Sequence, residues 1–506
     1  MSKEPTENVK RLVRELSLLD ATMIVIGSMI GSGIFLTSAE SARLVGAPGW
    51  LLVAWVLAGV ITITGALCVA ELAAMMPRAG GPYVFLSEAY NPATGFLYGW
   101  SNFLIIQTGT IAAVAVAFAN FAGVLFPQVS GANYVVAPIV FGSYAVSLST
   151  QQLIAILVIV ILTLVNTRGL EVGKWIQNTF TFTKTAALLA LVVLGLAAGW
   201  NAGSAAFTSD WWNPAANGWD IQTAQPGAMS AGAFAFVLVL GRAMTGPLFS
   251  QSAWDNVTFT AGEVDNPGRN VPRALIIGCL LVVGLYITAN IAYVVTLPLA
   301  SIQNAPGNRV AAVMMTEILG ASGAGLMAAA IMISTFGCNN GLILAGARVT
   351  YAMARDRLFF APLARTNQKN VPALALVAQG LWASILVLPR TVTYAADAPA
   401  TPIFGNVYTQ LLEYIVSVDL VFGTLSVLAV IVLRRRAPQT ERPYRTWGYP
   451  LVPVIFLVLS TLLIINLAYL APTTSGIGYL LALTGIPVYF IWKRRALQDS
   501  AIEASA

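Results

Sequence analysis

The sequence contains no histidine and only three cysteines in 506 residues. Without histidine, a histidine-based metal site or a Ser-His-Asp triad cannot form, so no metal ligands and no catalytic residues are predicted. Cys68, Cys279 and Cys338 all lie in apolar segments, and their odd number indicates free, buried thiols without a disulfide framework. These absences exclude most enzyme chemistries, and no cofactor is predicted.

Charge is also scarce, because only 9% of the residues are charged, against about 25% in an ordinary soluble domain. Apolar segments of about 20 residues, long enough to cross a hydrocarbon layer of roughly 30 Å, recur along the whole chain. The sequence therefore predicts a polytopic protein of the lipid bilayer. The twelve predicted spans are residues 21–44, 50–76, 93–126, 151–167, 176–199, 231–261, 274–297, 323–352, 371–389, 405–433, 450–470 and 477–493.

The few positive charges predict the orientation of the chain. Of the 27 lysines and arginines, 22 fall on one side of the predicted membrane, three on the other side and two within spans. Since lysine and arginine are enriched in cytoplasmic loops, both termini are predicted to be cytoplasmic and the protein to lie in the cell membrane. No cleavable signal peptide is separable from the first span, and the net charge of +6 calls for no nucleic-acid partner.

Composition also divides the chain along its length. Arg434 to Arg436 and the proline-rich stretch after them separate ten spans from the last two, and residues 9–20 have the apolar spacing of a lead-in helix. The long connections 200–230 and 298–322 are expected to form outer lids. The predicted regions are a cytoplasmic amphipathic segment (1–20), spans one to five (21–200), spans six to ten (201–436), the last two spans (437–495) and a cytoplasmic tail (496–506).

Residues 22–36 place Gly27, Gly31 and Gly33 at the centre of span one. Each glycine weakens a helix by roughly 1 kcal/mol, which favours an interruption around Ile30 to Gly33. An interrupted helix offers carbonyls at one end and amides at the other, and a zwitterion suits both. The alternative is close helix packing through the G-x-x-x-G spacing. A dinucleotide-binding loop is excluded, because the flanking apolar segments are too long for strands.

Span six also contains residues that are unfavourable to a continuous membrane helix. Gly246 and Pro247 are followed by polar residues up to Asn256, where a lipid-buried helix should be apolar. Two interrupted helices five spans apart point to an inverted repeat of five plus five helices with the substrate at its interface. The alternative is a proline kink with ordinary buried polar packing.

Three motifs in order then carry a family resemblance. The stretches LLDATMIVIGSMIGSGIF, AELAAMMPRAGGPYVFLSEAYNP and GEVDNPGRNVPRAL resemble the amino acid-polyamine-organocation transporters, and their order is most similar to the L-type amino acid transporter branch. The resemblance covers residues 12–435. It implies an all-α membrane fold in which a five-plus-five inverted repeat, with helices one and six interrupted, is followed by two further helices.

The resemblance also implies a substrate site. The amides of span one would bind the substrate carboxylate, the carbonyl of Met29 would take its ammonium, and Phe249 would be an aromatic gate. The L-type pattern often has two glycines where this chain has Ser252 and Ala253, so the pocket is expected to be narrower. The site residues implied are Met29, Gly31, Ser32, Gly33, Phe249, Gln251, Ser252 and Trp254.

Lys184 lies about 12 Å inside span five, where it either snorkels to the inner interface or points inward. In similar transporters without sodium coupling, a lysine here takes the place of a sodium ion and bridges helix one to span eight, at positions matching Ser334 and Thr335. We expect Lys184 to couple the conformational change to site occupancy.

The sequence thus predicts a transporter of small or medium neutral L-amino acids. Cationic amino acids or polyamines are the near alternative, and a membrane amino acid sensor or a channel-like pore is the alternative from another class. The loop between spans three and four contains no cysteine, so no disulfide-linked subunit is expected. The sequence does not assign partners or roles to Arg242, Asp255, Glu413 and Asp419.

Overall fold

The structure is a computed structural model, and it describes residues 14–221, 232–394, 402–405 and 407–494. Helices dominate the described chain, and a four-stranded antiparallel sheet joins two of its loops. The helices are α1 (Leu18–Met29), α2 (Gly33–Val45), α3 (Pro48–Met75), α4 (Pro82–Ala89), α5 (Pro92–Ser101), α6 (Gln107–Leu125), α7 (Thr150–Asn166), α8 (Leu170–Ala198), α9 (Ala205–Thr208), α10 (Gly232–Ala243), α11 (Thr245–Ser250), α12 (Asn256–Phe259), α13 (Pro267–Thr296), α14 (Leu299–Gln303), α15 (Val310–Leu319), α16 (Ala321–Arg355), α17 (Ala373–Leu386), α18 (Val407–Arg436), α19 (Leu451–Leu470), α20 (Pro472–Leu483) and α21 (485–494).

Nine helical segments among the described residues are long and apolar enough to cross a membrane. Shorter apolar helices occupy the positions predicted for spans four, six and nine: Thr150–Asn166, Phe234–Ser250 and Ala373–Leu386. The protein is therefore a multi-pass membrane protein. Helix α15 lies within the connection 298–322, which was predicted to form an outer lid.

Span one is two helices with a break between them. The side chain of Ser17 accepts a hydrogen bond from the amide of Asp20, and the carboxylate of Asp20 accepts one from the amide of Ser17, so a capping box fixes the start of α1. Helix α1 ends at Met29 and α2 begins at Gly33. The interruption predicted around Ile30 to Gly33 is present.

Residues before Ser17 differ from the predicted lead-in helix. The described residues 14–17 are not helical, and Leu16 forms a parallel bridge with Val264. The amide of Leu16 donates to the carbonyl of Glu263, and the amide of Asp265 donates to the carbonyl of Leu16. This backbone pairing competes with the local helix. Residues 9–13 of the predicted helix lie outside the described residues, and residues 18–20 form the start of α1.

Span six is broken into α10, α11 and α12, with residues 251–255 outside helix. Ala253 in this break has a φ of +62°, in the left-handed region that favours glycine. Such a backbone costs an L-residue about 1–2 kcal/mol, so the surrounding packing has to hold it. Glycine adopts this φ without that cost, which gives a physical reason for the two glycines that the L-type pattern often has here.

Span three contains an interruption that was not predicted. Residues Asn102–Ile106 form one π-helical turn between α5 and α6. A π turn inserts one residue into the helical register and is frequent at functional sites of helices. The sequence of this turn, NFLII, contains no helix-breaking residue. The π turn therefore depends on tertiary packing and not on the local sequence.

Ion pairs fix the predicted cytoplasmic end of the bundle. Arg348 binds Glu263 at 3.0 Å, and both side chains are 1% exposed. Glu71 is bound by Arg434 at 2.6 Å and by Arg442 at 3.3 Å. Breaking a buried pair by removing one partner typically costs 3–5 kcal/mol, so these contacts hold distant parts of the sequence together.

The connection at residues 200–221 covers the start of α3 at the predicted outer end. The indole of Trp219 donates to the carbonyl of Arg43 at 2.9 Å, and the amide of Gly49 donates to the carbonyl of Trp211 at 3.1 Å. The contacts place this part of the predicted outer lid over α2 and α3. The remainder of that connection, residues 222–230, lies outside the described residues.

The sheet is also at the predicted outer end and was not predicted. Its strands are β1 (Tyr134–Phe141), β2 (Tyr144–Ser149), β3 (Pro389–Tyr394) and β4 (Pro402–Phe404). The strands lie in the order β1-β2-β3-β4, and β2 pairs antiparallel with β3 with Tyr144 opposite Thr391. Two loops distant in sequence are therefore joined by main-chain hydrogen bonds.

Candidate functional site

The last carbonyls of α1 are satisfied by side chains of other helices. A helix leaves its final carbonyls without intrahelical amides, and its C-terminal end carries partial negative charge. The ammonium of Lys184 donates to the carbonyl of Gly27, and the thiol of Cys338 donates to the carbonyl of Ser28 at 3.2 Å. Lys184 is 1% exposed, so its ammonium points inward instead of snorkelling.

The next two carbonyls are occupied in the same way. The hydroxyl of Tyr286 donates to the carbonyl of Met29 at 2.8 Å, and the amide of Gly31 donates to the same oxygen at 2.8 Å. The hydroxyl of Ser334 donates to the carbonyl of Ile30 at 3.4 Å. The Met29 oxygen, which was expected to bind an ammonium, therefore already uses both of its lone pairs.

At the start of α2, a tyrosine joins the two broken spans. The hydroxyls of Ser32 and Tyr408 lie 3.0 Å apart. The ring of Tyr408 meets the ring of Phe249 edge to face, with centroids 6.0 Å apart. The structure thus brings Ser32 and Phe249 to the same place, and the link between them is a residue of α18.

Glycine permits the close approach of span one to its neighbours. A Cβ on Gly33 would lie 2.1 Å from the Ser250 Oγ and 2.7 Å from the Ser250 Cα. A Cβ on Gly27 would lie 1.9 Å from the Gln177 Nε2 in α8. Span one therefore has both predicted features. Gly27 and Gly33 allow close packing against neighbouring segments, and the helix is interrupted between Met29 and Gly33.

Three of the four site residues predicted in span six, Gln251, Ser252 and Trp254, line a cavity of about 70 Å³ between α3, the break and α18, and Phe249 does not line it. Gln251 is fully buried, and its amide nitrogen donates to the carbonyl of Trp55 at 3.2 Å. The hydroxyl of Ser252 donates to the carbonyl of Phe249 at 2.7 Å, which closes the turn. Trp254 contributes an aromatic wall.

Of the two residues predicted in span eight, only one contacts span one through a side-chain hydrogen bond that the structure describes. Ser334 reaches Ile30, as given above, whereas the hydroxyl of Thr335 donates to the carbonyls of Ile331 and Met332 in its own helix. Cys338, one turn further along α16, makes a second contact to span one. Sequence reasoning placed Cys338 in the interior without giving it a contact.

The structure also pairs charges that the sequence left unassigned. Arg242 of α10 lies 3.3 Å from Glu413 of α18. Asp255 and Asp419 both line the cavity of about 70 Å³. The four charges therefore divide into an ion pair and two cavity carboxylates.

Tyr286 and Tyr408 are the site residues that sequence reasoning missed. Both lie in otherwise apolar spans, and their side chains are 0% and 6% exposed. A buried tyrosine hydroxyl usually requires a hydrogen-bond partner, so a tyrosine within a span was the available signal. That signal does not identify the partner, which depends on the packing of α13 and α18 against span one.

Comparison with known proteins places this geometry in a family. A family model described as "Amino acid permease" matches residues 16–492. The "Large neutral amino acids transporter small subunit 2" of Mus musculus is 29% identical over 483 residues, which is 95% of this chain and 81% of the relative.

Two further relatives extend the comparison. The "Serine/threonine exchanger SteT" of Bacillus subtilis (strain 168) is 28% identical over 492 residues, which is 96% of this chain and 98% of the relative. The "Asc-type amino acid transporter 1" of Mus musculus is 28% identical over 488 residues, which is 95% of this chain and 81% of the relative. Since the family model spans both broken helices and nearly the whole sequence, the chain belongs to the amino acid permease family and is a membrane transporter, not an enzyme.

Proposed function

We propose that the protein carries small or medium neutral L-amino acids across the cell membrane by alternating access around α1–α2 and α10–α12. The single observation that carries the proposal is the break at residues 30–32, where the end of α1 and the start of α2 meet inside the bundle. The amides of Gly31, Ser32 and Gly33 bind the carboxylate, and the carbonyl of Met29 takes the ammonium. The name of one relative describes a transporter of large neutral amino acids, and the name of another describes a serine/threonine exchanger.

The internal hydrogen bond from the Gly31 amide to the Met29 carbonyl supports this assignment. The break pairs one of its own donors with one of its own acceptors at 2.8 Å. A zwitterion supplies a partner for each group, because its carboxylate accepts from Gly31 while its ammonium donates to Met29. Binding thus exchanges one hydrogen bond for two charge-assisted ones, which are each roughly twice as strong as neutral ones.

The residues at the break in span six select the substrate by the size of its side chain. Phe249 closes the site against Tyr408, and Gln251, Ser252 and Trp254 line the adjoining cavity. A cavity of about 70 Å³ is about half the roughly 150 Å³ that holds one benzene ring, which suits a short side chain. We propose that this size sets the preference for small and medium substrates.

Lys184 and Ser334 form the coupling element of the proposal, and Thr335 stays a prediction from the resemblance, because its described hydrogen bonds lie within its own helix. Lys184 fixes the end of α1 to α8, and Ser334 fixes it to α16. When α1 moves, these two hydrogen bonds either break or move together with it. Lys184 and Ser334 therefore tie the position of α1 to the two helices that stand beside it.

The proposed architecture has twelve spans: residues 21–200 and 201–436 form two inverted repeats, and residues 437–495 supply two further helices. Residues 1–20 and 496–506 are cytoplasmic segments, so that both termini lie inside the cell. The protein acts without a cofactor, a nucleic acid or a disulfide-linked subunit. The distribution of positive charge and the order of the two broken spans support this arrangement.

The test is uptake of labelled neutral amino acids into proteoliposomes at equal pH inside and outside. Vesicles preloaded with unlabelled neutral amino acids are compared with empty ones. Faster uptake into preloaded vesicles establishes exchange, and equal uptake in both establishes uniport or ion coupling. Binding without uptake would show a sensor, a conductance would show a channel, and uptake of cationic substrates or polyamines alone would show the wrong substrate class.

A further inference from the structure

The hairpin of strands β1 and β2 exposes apolar side chains in a part of the chain that carries no charge. Residues 89–167, which include the hairpin, contain no lysine, arginine, aspartate or glutamate. The connections 200–221 and 298–322, at the same predicted outer end, each contain charged residues. A cluster of exposed apolar side chains on a loop marks a surface that contacts protein or lipid. The apolar residues of the hairpin with exposed fractions between 40% and 63% are Val135, Val136, Ile139, Val140, Phe141 and Val146.

Strand β1 is apolar on both of its faces. Successive residues of a strand point to opposite faces, and the neighbours Ile139 and Val140 are both exposed. In β2, by contrast, alternate residues are buried, so that only one face of this strand is free. A strand with a solvated face normally places polar residues on that face. Strand β1 therefore suits surroundings that are apolar on both sides.

The hairpin lies at the level of the outer turns of the spans. The hydroxyl of Tyr144, at the tip of the hairpin, lies 3.4 Å from the hydroxyl of Tyr414. Tyr414 follows Val407, the first residue of α18, by seven residues, which is about 10 Å along the helix. Tyr144 also lines an apolar groove of about 260 Å³ between α6, α17, α18 and α20. These contacts place the hairpin beside the spans, at membrane level.

The one charge of the sheet is turned toward the protein. Arg390 of β3 is the only charged residue in the four strands, and it is 7% exposed. Its guanidinium donates to the carbonyl of Gly131 at 3.1 Å and lies over the ring of Tyr134. The cation thus holds the base of the hairpin and leaves the exposed strand without charge.

The free edge of β1 is poorly suited to pairing with a strand of another chain. Pro138 in this strand has no amide hydrogen to donate. The register between β1 and β2 shifts between Tyr134 and Val136, and again between Val136 and Ile139. Proline and bulges protect the edges of sheets against the addition of a strand. These features favour lipid over a second copy of the chain as the contact of β1.

We infer that the hairpin, residues 134–149, is embedded in the outer leaflet of the lipid bilayer, at the boundary between the headgroups and the acyl chains. The rings of Tyr134 and Tyr144 suit this level, where tyrosine is enriched. Headgroups and interfacial water there supply partners for the edge amides and carbonyls of β1, which the hydrocarbon centre lacks. Strand β2 continues into α7, whose Leu153 and Leu157 are exposed, so the lipid-facing surface of span four extends onto the hairpin.

Nitroxide labels on single introduced cysteines test the inference in liposomes of phosphatidylcholine and phosphatidylglycerol. The test variants are Ile139→Cys and Val140→Cys, which place the label on the two faces of β1. Leu157→Cys in α7 gives the value for lipid, and Ala216→Cys, at an exposed position of the connection 200–221, gives the value for water. The three native cysteines are buried, and wild-type protein treated with the label gives their background. Size-exclusion chromatography checks that each variant is folded.

The measured quantity is the accessibility of the nitroxide to oxygen, which partitions into lipid, divided by its accessibility to a water-soluble nickel chelate. We expect this ratio at both hairpin positions to match that of Leu157→Cys and to exceed that of Ala216→Cys several-fold. A ratio equal to that of Ala216→Cys at either position places a face of β1 in water and overturns the inference. Low accessibility to both reagents means that protein covers the hairpin, which also overturns it.

Photochemical labelling of the wild-type protein provides a test without substitutions. A phosphatidylcholine with a diazirine near the carboxyl end of one acyl chain is included in the liposomes, and mass spectrometry locates the crosslinked residues. Label on residues 134–149 as well as on the outer turns of α7 supports the inference. Label on α7 without label on the hairpin contradicts it. Neither experiment depends on the substrate that the protein carries.

Discussion

The ammonium of Lys184 donates a hydrogen bond to the carbonyl of Gly27, so that a fully buried cation of α8 sits at the negative end of the α1 dipole. This contact explains how a lysine persists about 12 Å inside an apolar span. It also means that the end of α1 is positioned by a group on another helix. Movement of α1 and the environment of Lys184 are linked through this one contact.

Replacing Lys184 with alanine should abolish amino acid uptake or reduce it by at least about tenfold, because the α1 carbonyl loses its charged donor. Uptake in proteoliposomes measures the effect, and size-exclusion chromatography in detergent checks that the variant is folded. The control is Lys369→Ala, which removes an exposed lysine and should leave uptake unchanged. Wild-type rates in folded Lys184→Ala protein would contradict a coupling role.

Replacing Gly33 with alanine should impair both transport and stability. The added methyl group would meet the side chain and the Cα of Ser250, and relieving such a clash in a packed core costs about 1–3 kcal/mol. The measurement is thermal unfolding in detergent together with uptake. Gly284→Ala is the matched control: a Cβ there meets nothing within 4 Å, so helix propensity alone predicts a stabilisation of up to about 1 kcal/mol. Equal effects of the two substitutions would refute the close-approach explanation.

Replacing Tyr408 with phenylalanine should weaken substrate binding while leaving the fold intact. The variant loses the hydrogen bond to Ser32 and keeps the ring that packs on Phe249, so the expected change is about 1 kcal/mol, or a roughly fivefold higher KM. The concentration dependence of uptake gives KM and the maximal rate separately. Tyr469→Phe, which alters a tyrosine that is 52% exposed, should change neither value. An unchanged KM in Tyr408→Phe would remove this tyrosine from the site.

Replacing Ala253 with glycine should stabilise the protein by roughly 0.5–1 kcal/mol, since glycine adopts the observed φ of +62° without steric cost. A thermal shift in detergent would show the gain. Ala235→Gly is the comparison of opposite sign, because Ala235 lies inside α10 and glycine there costs about 1 kcal/mol. A lower melting temperature for Ala253→Gly would show that the alanine methyl contributes packing that outweighs the strain.

The local sequence predicted the helix breaks and the membrane spans, because both depend on residues that are close together in the chain. The glycines of span one and the polar run after Pro247 in span six both weaken a helix wherever they stand, and the structure has breaks at both places. The length of the apolar segments predicted a multi-pass helical protein for the same reason, since hydrocarbon thickness sets a minimum length.

Contacts between distant segments could not be predicted in this way. The choice of Glu413 for Arg242 and of Met29 for Tyr286 depends on how α10, α13 and α18 pack, which a single sequence does not encode in any local pattern. Strands β1 and β2 form a hairpin between neighbouring segments and were nevertheless assigned to a loop, whereas the pairing of β2 with β3 joins segments more than 200 residues apart, which no local pattern encodes. The assignment of individual site residues by resemblance remains a prediction.

The small sheet offers a fixed frame for measuring motion. Strand β2 leads directly into α7, strand β3 follows α17, and the pairing of Tyr144 with Thr391 joins the two. The ends of these helices are thereby joined by main-chain hydrogen bonds and should keep a constant separation. A spectroscopic probe on this sheet would serve as a stationary reference, and the change in its distance to a second probe on α2 would report how far span one travels in each transport cycle.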